Sequence, residues 1–155
     1  MRLFLAVALA SQLQNKVGAL IIQFSATSKG VKWIDSRQAH FTLFFVGEQP
    51  RSLVEKLDPF LKAEAAAHRS FLLSLGQGGT FPVWKNPRVL WLGVEKGRAE
   101  LEALAAGVTA ACLRSGLPKP NRPFIPHLTL GRVKTPPAVF DRELLRRGVA
   151  GEMRV

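Results

Sequence analysis

Two short stretches decide how this chain folds, Ala39-His40-Phe41-Thr42-Leu43-Phe44 and Pro126-His127-Leu128-Thr129-Leu130-Gly131, whose histidines lie 87 residues apart. Each reads as a β-strand opening on a histidine, because its side chains alternate with the two-residue period of extended backbone. The surroundings repeat in the same order. Residues 2–8 form an apolar strand, as do residues 88–94, at an offset of 86. A helical stripe at Leu13, Val17, Leu20, Ile21 and Phe24, with Ser11 as its cap, has a counterpart at Leu101, Leu104, Ala105, Val108 and Cys112. Two offsets agreeing within one residue indicate an internal duplication. The N-terminal apolar run is then a core strand with a counterpart inside the chain. A signal peptide, with Ala8-Leu9-Ala10 as its cleavage site, would have none.

The remaining signals complete an α+β pattern. Lys29-Gly30 breaks the first helix, and 31–34 reads as a short strand. Leu53, Val54, Leu57, Phe60 and Leu61 mark a second helix that Pro59 should kink or restart. Residues 71–75 form a strand, 76–87 a Gly- and Pro-rich loop joining the halves, 116–120 a turn, and 138–147 a helix-like stretch. The expected fold is one bilobal domain over 1–155, with lobe 1 mainly 1–78 and lobe 2 mainly 79–155. The first copy has a strand about 31 residues beyond its histidine, but the same step from His127 reaches position 158, past Val155. The last strand or strands of the second lobe are therefore expected to be missing or cut short.

Composition narrows the partners. The chain carries 22 Lys+Arg against 11 Asp+Glu, a net charge of +11, with a pI near 10.9. That favours a polyanion, nucleic acid first and an anionic membrane surface second. The 47% hydrophobic content argues against wholesale disorder, and no stretch is long and apolar enough to cross a bilayer. The single cysteine, Cys112, excludes an intramolecular disulfide and a Cys-based zinc site, so a cytoplasmic setting is expected. Residues 103–140 contain Arg114, Lys119, Arg122, Arg132 and Lys134 and no acidic side chain, a basic stretch around His127 where backbone phosphates of a nucleic acid would need neutralising.

The chemistry rests on the histidine strands. Strict alternation sets His40, Thr42, Phe44 and Val46 on one face and Phe41, Leu43 and Phe45 on the other; His127, Thr129 and Gly131 share a face in the second copy. A lone His-x-Thr is most simply a core histidine. Two of them, equivalently placed in a duplicated chain with only three histidines, point instead to a site. A pseudo-twofold would bring both pairs face to face. A phosphate between two imidazoles suits acid–base cleavage, one ring protonating the leaving oxygen while the other takes a proton from the nucleophile. The threonine hydroxyls can donate to non-bridging oxygens. His68 reads as a surface residue. Catalytic zinc needs about three protein ligands, and neither motif has an Asp, Glu or Cys on its face, so no metal is expected. Phe81, Trp84 and Phe124, in loop-like segments, are candidates for stacking on the bases of a single-stranded nucleic-acid end.

His40-Phe41-Thr42-Leu43 and His127-Leu128-Thr129-Leu130 resemble the paired His-x-Thr-x motifs of the two-histidine phosphoesterase superfamily. More narrowly, the chain resembles the RNA 2′,3′-cyclic phosphodiesterases, historically called 2′-5′ RNA ligases. The resemblance runs from Arg2 to about Val133 and includes Trp33, Gly47, Gly79-Thr80-Phe81-Pro82, Pro87-Arg88-Val89-Leu90-Trp91 and Phe124-Ile125-Pro126. It implies a bilobal α+β fold, with two antiparallel sheets lining a central cleft and helices on the outside, and a metal-independent hydrolase, free of cofactors, that opens a 2′,3′-cyclic phosphate on RNA ends or small cyclic nucleotides to a 2′-phosphate. By motif, His40 would be the proton donor to the leaving 3′ oxygen and His127 the proton acceptor that activates water. Thr42 and Thr129 would bind the phosphate, with Phe124 and Phe81 completing the substrate-binding set. Arg132 matches an arginine near the phosphate, although alternation turns it from the cleft unless Gly131 permits a bulge. The family continues with further strands after the second helix, where this chain departs from it. A monomer is the default, because each lobe has its partner in the same chain. The alternatives are 2′-5′ ligation by the reverse reaction and a non-catalytic RNA-end-binding module, the latter disfavoured by the intact His-Thr pairs.

Overall fold

A computed structural model describes residues 1–155. Strand β1 (Arg2–Ala8) leads into helix α1 (Ser11–Thr27), strand β2 (Val31–Trp33), a single 3-10 turn at Ser36–Gln38 and strand β3 (His40–Glu48). Helix α2 (Ser52–Ala67), strands β4 (Leu72–Phe81) and β5 (Val89–Val94) and helix α3 (Arg98–Arg114) follow. Strand β6 (Leu128–Val133), helix α4 (Arg142–Arg147) and strand β7 (Glu152–Arg154) complete the chain. The architecture is α+β with two antiparallel sheets, one of two strands (β1-β3) and one of five (β2-β6-β5-β4-β7).

The sheets do not divide along the two halves of the sequence. Val31–Trp33 from the first half pairs with β6, and β4 pairs with β5. The five-stranded sheet is thus built from both copies, while β1 and β3 stand as a pair. β3 and β6 lie side by side without a ladder between them. The strand that the repeat sets at position 158 is present in short form as β7, paired through Leu72–Ser74 of β4.

α1 buries the expected stripe, Leu13, Val17, Leu20, Ile21 and Phe24. Its cap position is Ala10 rather than Ser11, however, and no side chain accepts from the first turn. α3 buries Leu101, Ala105, Val108 and Cys112 as expected, and Ala111 besides. α2 differs from expectation in two ways. It runs unbroken through Pro59, because Pro59 and Glu55, whose carbonyl loses its donor, both lie on the exposed side where water can substitute. Of its apolar stripe only Leu57 is buried, while Val54 and Phe60 are exposed. The expected loop over 76–87 is also shorter, since β4 continues to Phe81. Its glycines reflect close packing. A Cβ on Gly79 would fall 2.5 Å from the Trp91 indole, and one on Gly78 would run into the Leu145 backbone carbonyl of α4. His68 is not a free surface group. It meets Glu64 at 2.9 Å, half-buried where α2 crosses α3.

Candidate active site

Both catalytic candidates are held by the same local device. The ring Nδ1 of His40 lies 2.7 Å from the carbonyl of Gln38, and that of His127 lies 2.6 Å from the carbonyl of Ile125. A carbonyl only accepts, so each Nδ1 carries its hydrogen and donates it two residues back along the chain. Each Nε2 is thereby left for chemistry, as an acceptor when the ring is neutral and as a donor when it is protonated. Aromatic side chains support both rings. Phe4 stacks on His40 with centroids 4.7 Å apart. Phe81 and His127 meet edge to face with centroids 5.0 Å apart, and Trp91 lies 6.4 Å from the same imidazole.

The strand pairing departs from strict alternation at an equivalent point in each copy, and a second time in β3 at Val46. Opposite β1, Thr42 faces Ala6 and Phe44 faces Leu5, so Leu43 is an extra residue. Opposite β5, Thr129 faces Trp91 and Gly131 faces Leu90, so Leu130 is the extra residue. A bulge therefore falls on the residue after each motif threonine, and beyond it the side chains change face. Phe45, not Phe44, shares the face of His40 and Thr42, opposite Phe4. Phe44 turns into the core, where it is 5% exposed, whereas Phe45 is 56% exposed. In the second copy Arg132 takes the place that alternation assigns to Gly131, opposite Val89 and beside Thr129. The bulge that would carry Arg132 into the cleft is present, one residue earlier than Gly131. These ladders also set the offset between β1 and β5 at 85, since Ala6 and Trp91 are the partners of the two threonines.

Gly131 serves a different purpose. A Cβ there would lie 2.9 Å from both the Trp33 ring and Val31, so glycine lets β2 close over β6. That pairing sets Lys32 directly opposite Arg132, a cross-strand pair of cations of which Arg132 acts on His127. Burial lowers the His127 pKa below the ordinary imidazole value of 6.5; the bond to Ile125 opposes this, while Arg132 and His40 push further down. His127 is consequently neutral at neutral pH, with its Nε2 lone pair available. The copies are symmetric in His and Thr but not around them: Arg132 in one stands where Phe45 stands in the other.

The other candidates separate. Phe81 belongs to β4, not to a loop, and packs against both Trp91 and His127. Phe124 is half-buried and borders a groove that also reaches Thr42. Trp84 is occupied elsewhere, with the Arg146 guanidinium 4.4 Å over its ring and its carbonyl accepting from Arg142. Trp91, Lys32 and Phe45 are site-facing residues that strand periodicity did not single out. Trp91 was legible in part, as the one large aromatic in an apolar strand facing a threonine. Lys32 depends on an inter-strand pairing that no local pattern reveals. Cys112 is buried with its thiol pKa pushed up by burial, and no three His, Cys, Asp or Glu side chains come together.

Comparison with known proteins gives one consistent answer. The model of the 2′-5′ RNA ligase superfamily matches residues 9–148. The RNA 2′,3′-cyclic phosphodiesterase of Geobacillus stearothermophilus is 34% identical over 143 residues, covering 92% of this chain and 45% of that protein. That of Methanothermobacter thermautotrophicus is 30% identical over 135 residues, covering 87% of this chain and 72% of that protein. Among solved structures, TT0787 of Thermus thermophilus superimposes with a TM-score of 0.82 at 27% identity, covering 100% of this chain and 84% of that one. LigT of E. coli complexed with 3′-AMP gives 0.77 at 25% identity, covering 99% and 82%. The chain thus spans less than half the length of the Geobacillus relative.

Proposed function

The chain belongs to the 2′-5′ RNA ligase superfamily, and from that premise we propose that it hydrolyses a 2′,3′-cyclic phosphate at an RNA end to a 2′-phosphate. The observation that carries this reading is the pair of imidazoles, each with Nδ1–H tied to a backbone carbonyl and Nε2 left unpaired beside a threonine. In the proposed reaction, a water oxygen forms a bond to phosphorus while His127 Nε2 takes its proton. The bond from phosphorus to the 3′ oxygen breaks, and His40 Nε2–H protonates that oxygen. The two rings exchange protonation states, and solvent resets them. The neutral resting state of His127 supports its assignment as acceptor. Thr42, Thr129 and Arg132 donate to the non-bridging oxygens, where charge accumulates. Lys32, opposite Arg132, extends the same positive field. Phe81 and Phe124 are proposed to contact the substrate, and the step needs no metal or cofactor. Action as a monomer in the cytoplasm belongs to the same proposal; no helix is long and apolar enough to cross a membrane.

The test uses RNA ending in a 2′,3′-cyclic phosphate, incubated with the protein in EDTA and with the His40→Ala and His127→Ala variants. The expected product is the 2′-phosphate, with each variant slower by about 10²- to 10⁴-fold. An inert wild-type protein refutes the hydrolase reading. Strict dependence on added metal refutes the two-histidine mechanism, and a 3′-phosphate product refutes the leaving group.

A further inference from the structure

The duplication leaves one strand pairing unmatched. In the second copy β6 is flanked by β2, with Val31, Lys32 and Trp33 opposite Val133, Arg132 and Gly131. The offset of 87 carries these to Pro118, Lys119 and Pro120 opposite Val46, Phe45 and Phe44. No strand forms there. Prolines at alternate positions remove the ladder donors, and β3 pairs only with β1. On the side of β3 away from β1, the peptide groups of residues 42–46 have no backbone partner. The place of the missing pairing is a groove of about 630 Å³, lined by those same six residues and bounded by Thr42, Arg122 and Phe124.

We infer that this groove is the subsite for the nucleotide on the 5′ side of the cyclic phosphate, an inference that rests on the hydrolase reading above. A cyclic phosphate ends an RNA at its 3′ side, so the only covalent neighbour of the reacting nucleotide is the one upstream. Thr42 belongs both to the motif face and to the groove, which makes them continuous. From Thr42 the groove follows β3 to Val46, a run of about 13 Å at strand spacing, beyond the reach of a phosphate held at the histidines. Its lining contains no acidic side chain, and Lys119 and Arg122 are exposed along it. At its rim the Arg2 guanidinium lies 5.1 Å over the exposed Phe45 ring. Cations, an aromatic face and unpaired peptide groups suit a phosphate, a base face and a base edge respectively. A bound peptide strand could use the peptide groups but has no need of the cations.

The experiment compares kcat/KM for a dinucleotide ending in a 2′,3′-cyclic phosphate with that for a nucleoside 2′,3′-cyclic phosphate. The wild-type ratio is expected to exceed ~10, the scale of one stacked base plus phosphate contacts. In the Lys119→Ala/Arg122→Ala double variant, whose substitutions are exposed, the ratio should fall towards one. The salt dependence of the dinucleotide reaction should flatten by about 0.7 in log–log slope, the value for the single internucleotide phosphate that the two cations would neutralise. Equal turnover of both substrates by wild-type protein, or an unchanged ratio in the variant, overturns the subsite while leaving the hydrolase reading intact. Turnover of neither substrate overturns the hydrolase reading itself.

Discussion

Gly131→Ala tests whether the closure of β2 over β6 builds the cationic side of the site. The added Cβ would lie 2.9 Å from Trp33 Cε3, 2.9 Å from Val31 Cγ1 and 3.1 Å from the Lys32 carbonyl. Trp33 cannot easily move aside, because its ring stacks on Phe24 at 4.8 Å and its Nε1–H donates to Ser28 at 2.9 Å. Val31 can yield only by shifting the strand. Overpacking of this kind costs about 1–3 kcal/mol, and the lower chain entropy of alanine in the unfolded state returns about 0.4–1 kcal/mol. The net expectation is a loss of about 1–2 kcal/mol, or roughly 2–8 °C in melting temperature for a domain of this size. Thermal and denaturant melts measure it. Because the same pairing aligns Lys32 with Arg132, kcat/KM on a cyclic phosphate should also fall, by roughly tenfold for a displacement below ~1 Å. Val31→Ala removes one of the three close atoms. The double variant should therefore be more stable than the sum of the single effects by at least ~0.5 kcal/mol. An unchanged melting temperature for Gly131→Ala, or strict additivity with Val31→Ala, would show that β2 does not rest on Gly131 as described.

Two further outcomes follow from the site. His127 must be neutral to accept a proton, and its pKa is lowered, so the acidic limb of kcat/KM should lie below the ordinary imidazole value of 6.5. Arg132→Gln removes one cause of that lowering and should move the limb to higher pH, though burial, the larger cause, keeps it short of 6.5; a limb that stays put or moves to lower pH contradicts the assignment. Trp91→Ala removes the platform facing Thr129 and should raise KM by about 5- to 100-fold, the scale of one lost base stack. An unchanged KM would exclude Trp91 from substrate contact.

Much of the fold was legible because the local patterns were strong. The apolar spacing from Leu13 to Phe24 named the buried face of α1 residue for residue, and the repeated His-x-Thr named the strand that opens on His40 and the one that begins directly after His127. The misses have distinct causes. Pro59 implied a break in α2, but on an exposed helix face water can replace the lost bond. Gly76 to Gly79 imply a loop by composition, yet they sit in β4, because Leu145 and Trp91 occupy the space their side chains would need. Strict alternation set Phe44 on the site face and Phe45 opposite, because the fourfold apolar run from Leu43 to Val46 has no polar residue to mark the bulge that exchanges them.

The sequence by itself determined the α+β class, the duplication and the residue types available for acid–base chemistry, since these depend on periodicity, composition and spacing along one chain. The tertiary structure decided which neighbours those histidines have. Bulges at Leu43 and Leu130 exist only as a mismatch between two paired strands, and they turn Phe45 and Arg132 to the site. The exchange of β2 into the other copy's sheet sets Lys32 opposite Arg132, and Pro118 and Pro120 leave the corresponding edge of β3 open. Pairing between distant strands depends on backbone hydrogen bonds that every residue but proline can make, so the side chains of one strand do not encode its partner.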